Sequence, residues 1–215
     1  MDINHNTGIG HNILRRGDLV RFILVRHGQT SWNINKKFCG HSDIPLNETG
    51  VDQARVASEK LKDEHIDKAY SSDLSRAVQT AESVMSNHDL PLIQNTTLRE
   101  MYFGKWEGLT YDEIHKNYPT EADVWVKDYM NVPSLGGESL KSFYERVGKA
   151  FDDIKNEVQE HDTVLIVAHA GVVQSILTKE IIGAVDGYWK FRVDNGGIAI
   201  LDYDHEFPIL TALNM

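Results

Sequence analysis

Apolar residues are arranged in two ways along this chain. Some form short unbroken runs. Phe22-Ile23-Leu24-Val25 and Val164-Leu165-Ile166-Val167-Ala168 have the length and β-branched content of strands. Others recur at helical spacing. Val51, Ala54, Ala57 and Leu61 form one stripe, with Thr49 placed to cap it. Leu74, Ala77, Val78, Ala81, Val84 and Met85 form a second, capped by Ser72 or Asp73. A third stripe of Leu140, Phe143, Val147, Ala150, Phe151, Ile154 and Val158 opens at Ser139. Thr110-x-x-Glu113 is a capping-box pattern for a short helix that ends near Pro119. Short strands are predicted at 68–71, 91–95, 197–203 and 209–213, and a helix at 171–182. Strand and helix alternate, which predicts an α/β fold: three α/β/α layers around a mostly parallel sheet. Residues 100–137 break the rhythm with aromatic and glycine-rich sequence. They are expected to form a small insertion over the site.

Both long apolar runs end on a histidine followed by a turn glycine, Arg26-His27-Gly28 and His169-Ala170-Gly171. In open α/β sheets ligands bind at the carboxyl ends of strands. Two imidazoles and an arginine there predict a site for an anion. A neutral imidazole can attack phosphorus, and arginine can grip two phosphate oxygens in a fork. Arg76 is expected in the first turn of its helix, where backbone amides also bind anions. Glu100 precedes the aromatic segment. A carboxyl desolvated beside Phe103 and Trp106 would hold a proton near neutral pH.

Composition narrows the classes. At 215 residues the chain suits one domain, here 21–215, after a polar, flexible N-terminal extension of about residues 1–20. The net charge of -10 disfavours nucleic acid and anionic membrane as partners. No apolar run is long enough to span a bilayer, and the single cysteine, Cys39, suits a reducing cytoplasm. The ten histidines show no metal-ligand spacing, so neither metal nor cofactor is expected.

Five segments, in order, resemble the histidine phosphatase superfamily, in the branch that contains phosphoglycerate mutase and fructose-2,6-bisphosphatase. They are Arg26-His27-Gly28 with its flanks, Ser71-Ser72-Asp73-Leu74-x-Arg76, Leu98-x-Glu100-x-x-Phe103-Gly104-x-Trp106-Glu107-Gly108, Gly137-Glu138-Ser139 and His169-x-Gly171. The resemblance covers about residues 21–203. It implies a phosphohistidine at His27, and a phosphate pocket of Arg26, Asn33, Arg76 and His169. Glu100 would act as proton donor and then as base, and the partner would be a small phosphorylated metabolite. Met101 and Val126-Lys127 stand where mutases carry arginines, and the insertion is shorter than theirs. The aromatic segment is similar to that of small bacterial phosphatases. Hydrolysis is therefore expected, with α-ribazole-5′-phosphate leading among named substrates. A mutase is the alternative, and a non-catalytic phosphate-binding scaffold is a third class. The protein is expected to be a monomer or homodimer. Cys39 and Gln29 depart from the family pattern without touching the proposed catalytic groups.

Overall fold

The computed structural model describes residues 19–215. The predicted N-terminal extension lies outside them except for its last two residues, and Val20 already belongs to the first strand. Among the described residues six strands form one sheet: β1 (Val20–Arg26), β2 (Lys68–Ser71), β3 (Leu92–Gln94), β4 (Thr163–Ala168), β5 (Ile198–Asp204) and β6 (Phe207–Leu213). Their order is β3-β2-β4-β1-β5-β6. The first four run parallel, whereas β5 and β6 add antiparallel at one side.

Among the described residues seven α-helices accompany them: α1 (Ser31–Ile34), α2 (Glu48–Leu61), α3 (Ser75–Met85), α4 (Tyr111–Asn117), α5 (Pro119–Lys127), α6 (Leu140–Lys155) and α7 (Ala170–Leu177). A π-helical turn over Thr178–Ile182 extends α7. Alternation along β1 divides the core. Phe22 and Leu24 pack with Phe143, Val147 and Phe151 of α6 and with Val172 and Ile176 of α7. Ile23 and Val25 face the other way, onto Ala57 and Leu61 of α2 and Ala81 and Val84 of α3. The sheet is thus buried between two helical layers, as its continuous apolar strands require.

Several boundaries differ from expectation, each for a local reason. Asn47, not Thr49, caps α2, because its side-chain oxygen reaches the Gly50 amide at 2.8 Å. Val51 then falls on the solvent side of that helix. Neither Ser72 nor Asp73 caps α3. The acceptor is remote: the Asp43 carboxylate takes the Ser75 amide and hydroxyl, both at 2.7 Å. α5 was not anticipated, since Pro119 opens it rather than closing α4. The capping box at Thr110 and the cap at Ser139 form as predicted.

Residues 100–137 carry α4 and α5 and a small core of their own. Trp106, Ile114 and Ala122 are buried there, with Phe38, Phe103, Tyr118, Trp125 and Leu135 packed around them.

Candidate active site

Strand register brings the two histidines together. In the parallel pair β1–β4, Arg26 lies opposite Ala168, so His27 and His169 leave neighbouring strands at the same level. The His27 amide donates to the Ala168 carbonyl at 2.9 Å, and the two ring centroids are 5.1 Å apart. β2 pairs with β4 one step away, Ser71 against Val167, which delivers Ser72 to the same end.

Hydrogen-bond partners fix both tautomers. His27 Nδ1 is 2.6 Å from the Gly28 carbonyl oxygen, which can only accept, so Nδ1 bears the proton and Nε2 keeps its lone pair. Gly28 permits this tight passage, since a side chain there would collide with the Gly50 carbonyl. At His169 the roles reverse. Arg76 Nε donates to Nδ1 at 3.2 Å, so the proton sits on Nε2, 2.9 Å from Ser72 Oγ. Both nitrogens of His169 therefore have protein partners. The phosphate contact expected of this ring requires Ser72 or Arg76 to give up its bond.

The two arginines are held differently. Arg76 is wholly buried near the start of α3. Besides His169, it donates to the carbonyls of Ser42 and Gly40, each at 2.8 Å. Three of its five N–H groups are thus committed, leaving two. Arg26 donates to the Val193 carbonyl at 2.7 Å, while its Nε is buried with no partner among the described residues. A buried cationic donor of this kind suits an anionic acceptor. Asn33 forms part of the α1 capping box. Its oxygen accepts the Thr30 amide at 2.9 Å, which leaves its NH2 for another acceptor.

Glu100 joins the site from the far side. One carboxylate oxygen accepts the Met101 amide at 2.9 Å and the other the Gly171 amide at 3.0 Å. A Cβ on residue 171 would lie 2.2 Å from Glu100 Oε1 and 2.8 Å from the Tyr188 hydroxyl. Only glycine lets the helix and the acid come so close. Burial, with the charge of Glu100 as a second cause, pushes the Tyr188 hydroxyl well above its ordinary range. Of the two aromatic residues expected near the acid, Phe103 lines the same cavity as Glu100, whereas Trp106 lies in the core of the insertion. Tyr188 stands beside the acid as well.

A cavity of about 520 Å³ opens above these groups. Arg26, Asn33, Glu100, Ala170 and Gly171 are among the residues that line it, while His27, 4% exposed, and His169, fully buried, are not part of the lining. Sequence reasoning missed three contributors. Gln174 and Asn195 line the cavity, and Glu107 organises the loop that holds Arg76. The Glu107 carboxylate accepts the amides of His41 and Ser42 at 2.7 Å and the Ser42 hydroxyl at 2.5 Å. The Trp106-Glu107-Gly108 triplet is conspicuous in the sequence, but it does not disclose the part its carboxylate plays.

Burial, then the positive charges of Arg76 and Arg26, hold His27 well below the ordinary imidazole value of 6.5. His169 is depressed by burial first, then by Arg76 and His27. Both rings are neutral at pH 7, as a nucleophile requires. Below pH 6.5 the unfolded chain takes up protons at both positions while the folded chain does not. The stabilising difference is full above that value and is lost as pH falls, by about 1.4 kcal/mol per pH unit for each ring. We expect the urea midpoint to drop between pH 7.5 and 5.5, and His27→Gln to show a shallower dependence. An unchanged slope in that variant would contradict the assignment.

An imidazole with a free Nε2 lone pair, a second imidazole and two arginines gather where the parallel strands end, with a carboxyl group opposite, and the arrangement suits phosphoryl transfer. A family model described as histidine phosphatase superfamily (branch 1) matches residues 22–215, and the chain belongs to that superfamily. It is 31% identical over 195 residues to the adenosylcobalamin/alpha-ribazole phosphatase of Escherichia coli (strain K12), covering 91% of this chain and 96% of that one. It is 36% identical over 162 residues to a 2,3-bisphosphoglycerate-dependent phosphoglycerate mutase of Parvibaculum lavamentivorans, covering 72% and 77%. The crystal structure of the alpha-ribazole phosphatase from Shigella flexneri superposes with a TM-score of 0.87 at 31% identity, covering 91% and 96%. Among the described residues, no helix is long and apolar enough to cross a membrane.

Proposed function

We propose that the chain hydrolyses small phosphomonoesters through a phosphohistidine. His27 Nε2 attacks phosphorus, the P–N bond forms and the ester P–O bond breaks. The departing alkoxide takes a proton from the Glu100 carboxyl group. Glu100, now ionised, accepts a proton from water as the oxygen of that water attacks phosphorus. The P–N bond breaks, inorganic phosphate leaves and His27 is restored. Arg26, Arg76 and the Asn33 amide stabilise the charge that spreads over the equatorial oxygens. His169 positions Arg76, and the segment 100–137 covers the cavity. The observation that carries this reading is the locked His27 tautomer beside the unpaired Arg26 Nε.

The likeness to alpha-ribazole phosphatases supports α-ribazole-5′-phosphate as the first substrate to test. One observation favours a mutase instead: Lys36 and Lys37 line the cavity and offer positive charge that Met101 and Val126 do not. The two readings separate in one assay. The protein is incubated with p-nitrophenyl phosphate, and separately with 3-phosphoglycerate plus a trace of 2,3-bisphosphoglycerate. The expected result is free phosphate. Isomerised glycerate without phosphate release would overturn hydrolysis as the reaction.

A further inference from the structure

One motif of the sequence, Gly137-Glu138-Ser139, has no part in the mechanism above. It leads into α6. Ser139 caps that helix, its hydroxyl accepting the Ser142 amide at 3.2 Å. Gly137 passes so close to a neighbouring segment that a Cβ there would lie 2.2 Å from the Tyr102 carbonyl oxygen. The Glu138 amide donates to that same carbonyl at 2.8 Å, and the Glu138 carboxylate accepts the Tyr102 amide at 2.9 Å. Both bonds fall two residues beyond Glu100. Burial alone would raise the Glu138 carboxyl group. Hydrogen bonds from Arg146 and from the Tyr102 amide outweigh it and hold the group below the ordinary carboxylate value.

The partner of this anion is Arg146, in the second turn of α6. Its Nε and Nη2 each donate to the Glu138 carboxylate at 2.8 Å. The other N–H groups turn to the main chain around the acid. Nη1 donates to the carbonyls of Thr97 at 2.8 Å and Arg99 at 3.0 Å, and Nη2 to the carbonyl of Glu100 at 3.2 Å. All five donors of the guanidinium are thus committed. The Arg99 and Glu100 carbonyls belong to the two peptide groups that flank the Glu100 Cα, so one side chain holds both. The guanidinium also lies over the Phe143 ring, 5.1 Å from its centroid. Phe143 abuts Gly171, where a Cβ would come within 3.0 Å of the ring. Gly171 supplies the amide that holds the second Glu100 oxygen. One face of α6 therefore braces both the backbone of the acid and the turn that receives its carboxylate.

We propose that Arg146, held in place by Glu138, is a positioning residue for proton transfer: it fixes the main-chain angles at residue 100 and so aims the Glu100 carboxyl group at the leaving oxygen. Arg146 does not line the cavity, and its influence passes through the peptide groups it binds. A lysine would carry the same charge but cannot span three carbonyls and a carboxylate. The inference rests on the phosphatase reading, with Glu100 as proton donor, and deepens it. An ion pair that merely ties residues 97–102 to α6 would serve every ester alike. A positioning role shows itself only where the leaving group needs a proton.

The test measures phosphate release from a series of aryl and alkyl phosphates by the unaltered protein and by Arg146→Lys. Misplacing a reacting group by about 1 Å costs up to about a hundredfold. Arg146→Lys is expected to lower kcat for alkyl esters by about ten- to a hundredfold and for p-nitrophenyl phosphate by less than about threefold. KM stays within about threefold throughout, because the arginines of the phosphate pocket are untouched. In a Glu100→Gln background Arg146→Lys adds no further preference for aryl esters, since the group it aims has gone. Should Arg146→Lys fail to fold, Glu138→Gln decides. It leaves the three carbonyl bonds of Arg146 in place and is expected to show the same preference to a smaller degree. Equal losses across the series in the variant that folds overturn the inference and leave the phosphatase reading intact. So does a preference that persists undiminished without Glu100. Release from aryl esters alone by the unaltered protein has the same meaning, because no proton donor then operates. No release from any ester overturns both readings.

Discussion

Replacing His27 by alanine removes phosphate release by at least about four orders of magnitude. It also removes acid-labile phosphate from protein quenched during turnover with a radiolabelled ester. The geometry makes both outcomes necessary under the proposed mechanism. Nε2 of His27 is the unprotonated nitrogen, held so by the Gly28 carbonyl, whereas both nitrogens of His169 already have partners. The surrounding groups remain in the variant. Arg76 keeps its bonds to Gly40 and Ser42, and the Gly28 amide keeps its bond to Thr80 Oγ1 at 3.1 Å. The variant should therefore still bind a substrate it cannot turn over, with affinity measurable by calorimetry. Ordinary activity in His27→Ala would show that the nucleophile lies elsewhere.

The second large effect is one of contrast. Glu100→Gln slows alkyl phosphates by about 10²- to 10⁴-fold, while p-nitrophenyl phosphate loses far less. An alkoxide needs a proton as it departs, and nitrophenolate does not. Glutamine keeps the size of the side chain and one acceptor for the Met101 and Gly171 amides, but cannot supply that proton. The measurement is kcat for a series of esters plotted against leaving-group acidity. The variant should give a steeper dependence. Equal losses across the series would mean that Glu100 acts by holding α7 against the 100–101 backbone, and proton transfer would need another source.

The parts of this molecule visible in its sequence are those encoded locally. Burial of β1 and β4 on both faces leaves continuous apolar runs, and the amphipathic stripes of α3 and α6 repeat at helical spacing. Where a cap is supplied by a residue three positions away, as at Thr110 and Ser139, it was legible. Where it comes from far off, as Asp43 to Ser75, it was not. Ser72 and Asp73 resemble caps by composition, but other groups claim them. Ser72 meets His169, and Asp73 takes Arg99 Nε at 2.7 Å. The same distinction governs the site. The six predicted residues converge because each sits at a strand end, a helix start or a turn whose place the topology fixes. Gln174, Asn195 and Glu107 carry no periodic signal, and their roles exist only once distant loops have met. Aromatic residues at 125, 129 and 189 carry no signal of this kind either, yet the fold places them around one cavity.

Arg76 is braced on three sides before any ligand arrives, by two backbone carbonyls and by His169. Such a socket accepts the common end of every phosphate ester and distinguishes poorly among them. Under the proposed function, selectivity falls to the cavity wall away from that socket, where Trp125, Tyr129 and Trp189 stand. Exchanging the segments that carry them is expected to change which esters are accepted while the chemical steps stay the same. The architecture thus keeps a fixed engine apart from an interchangeable rim.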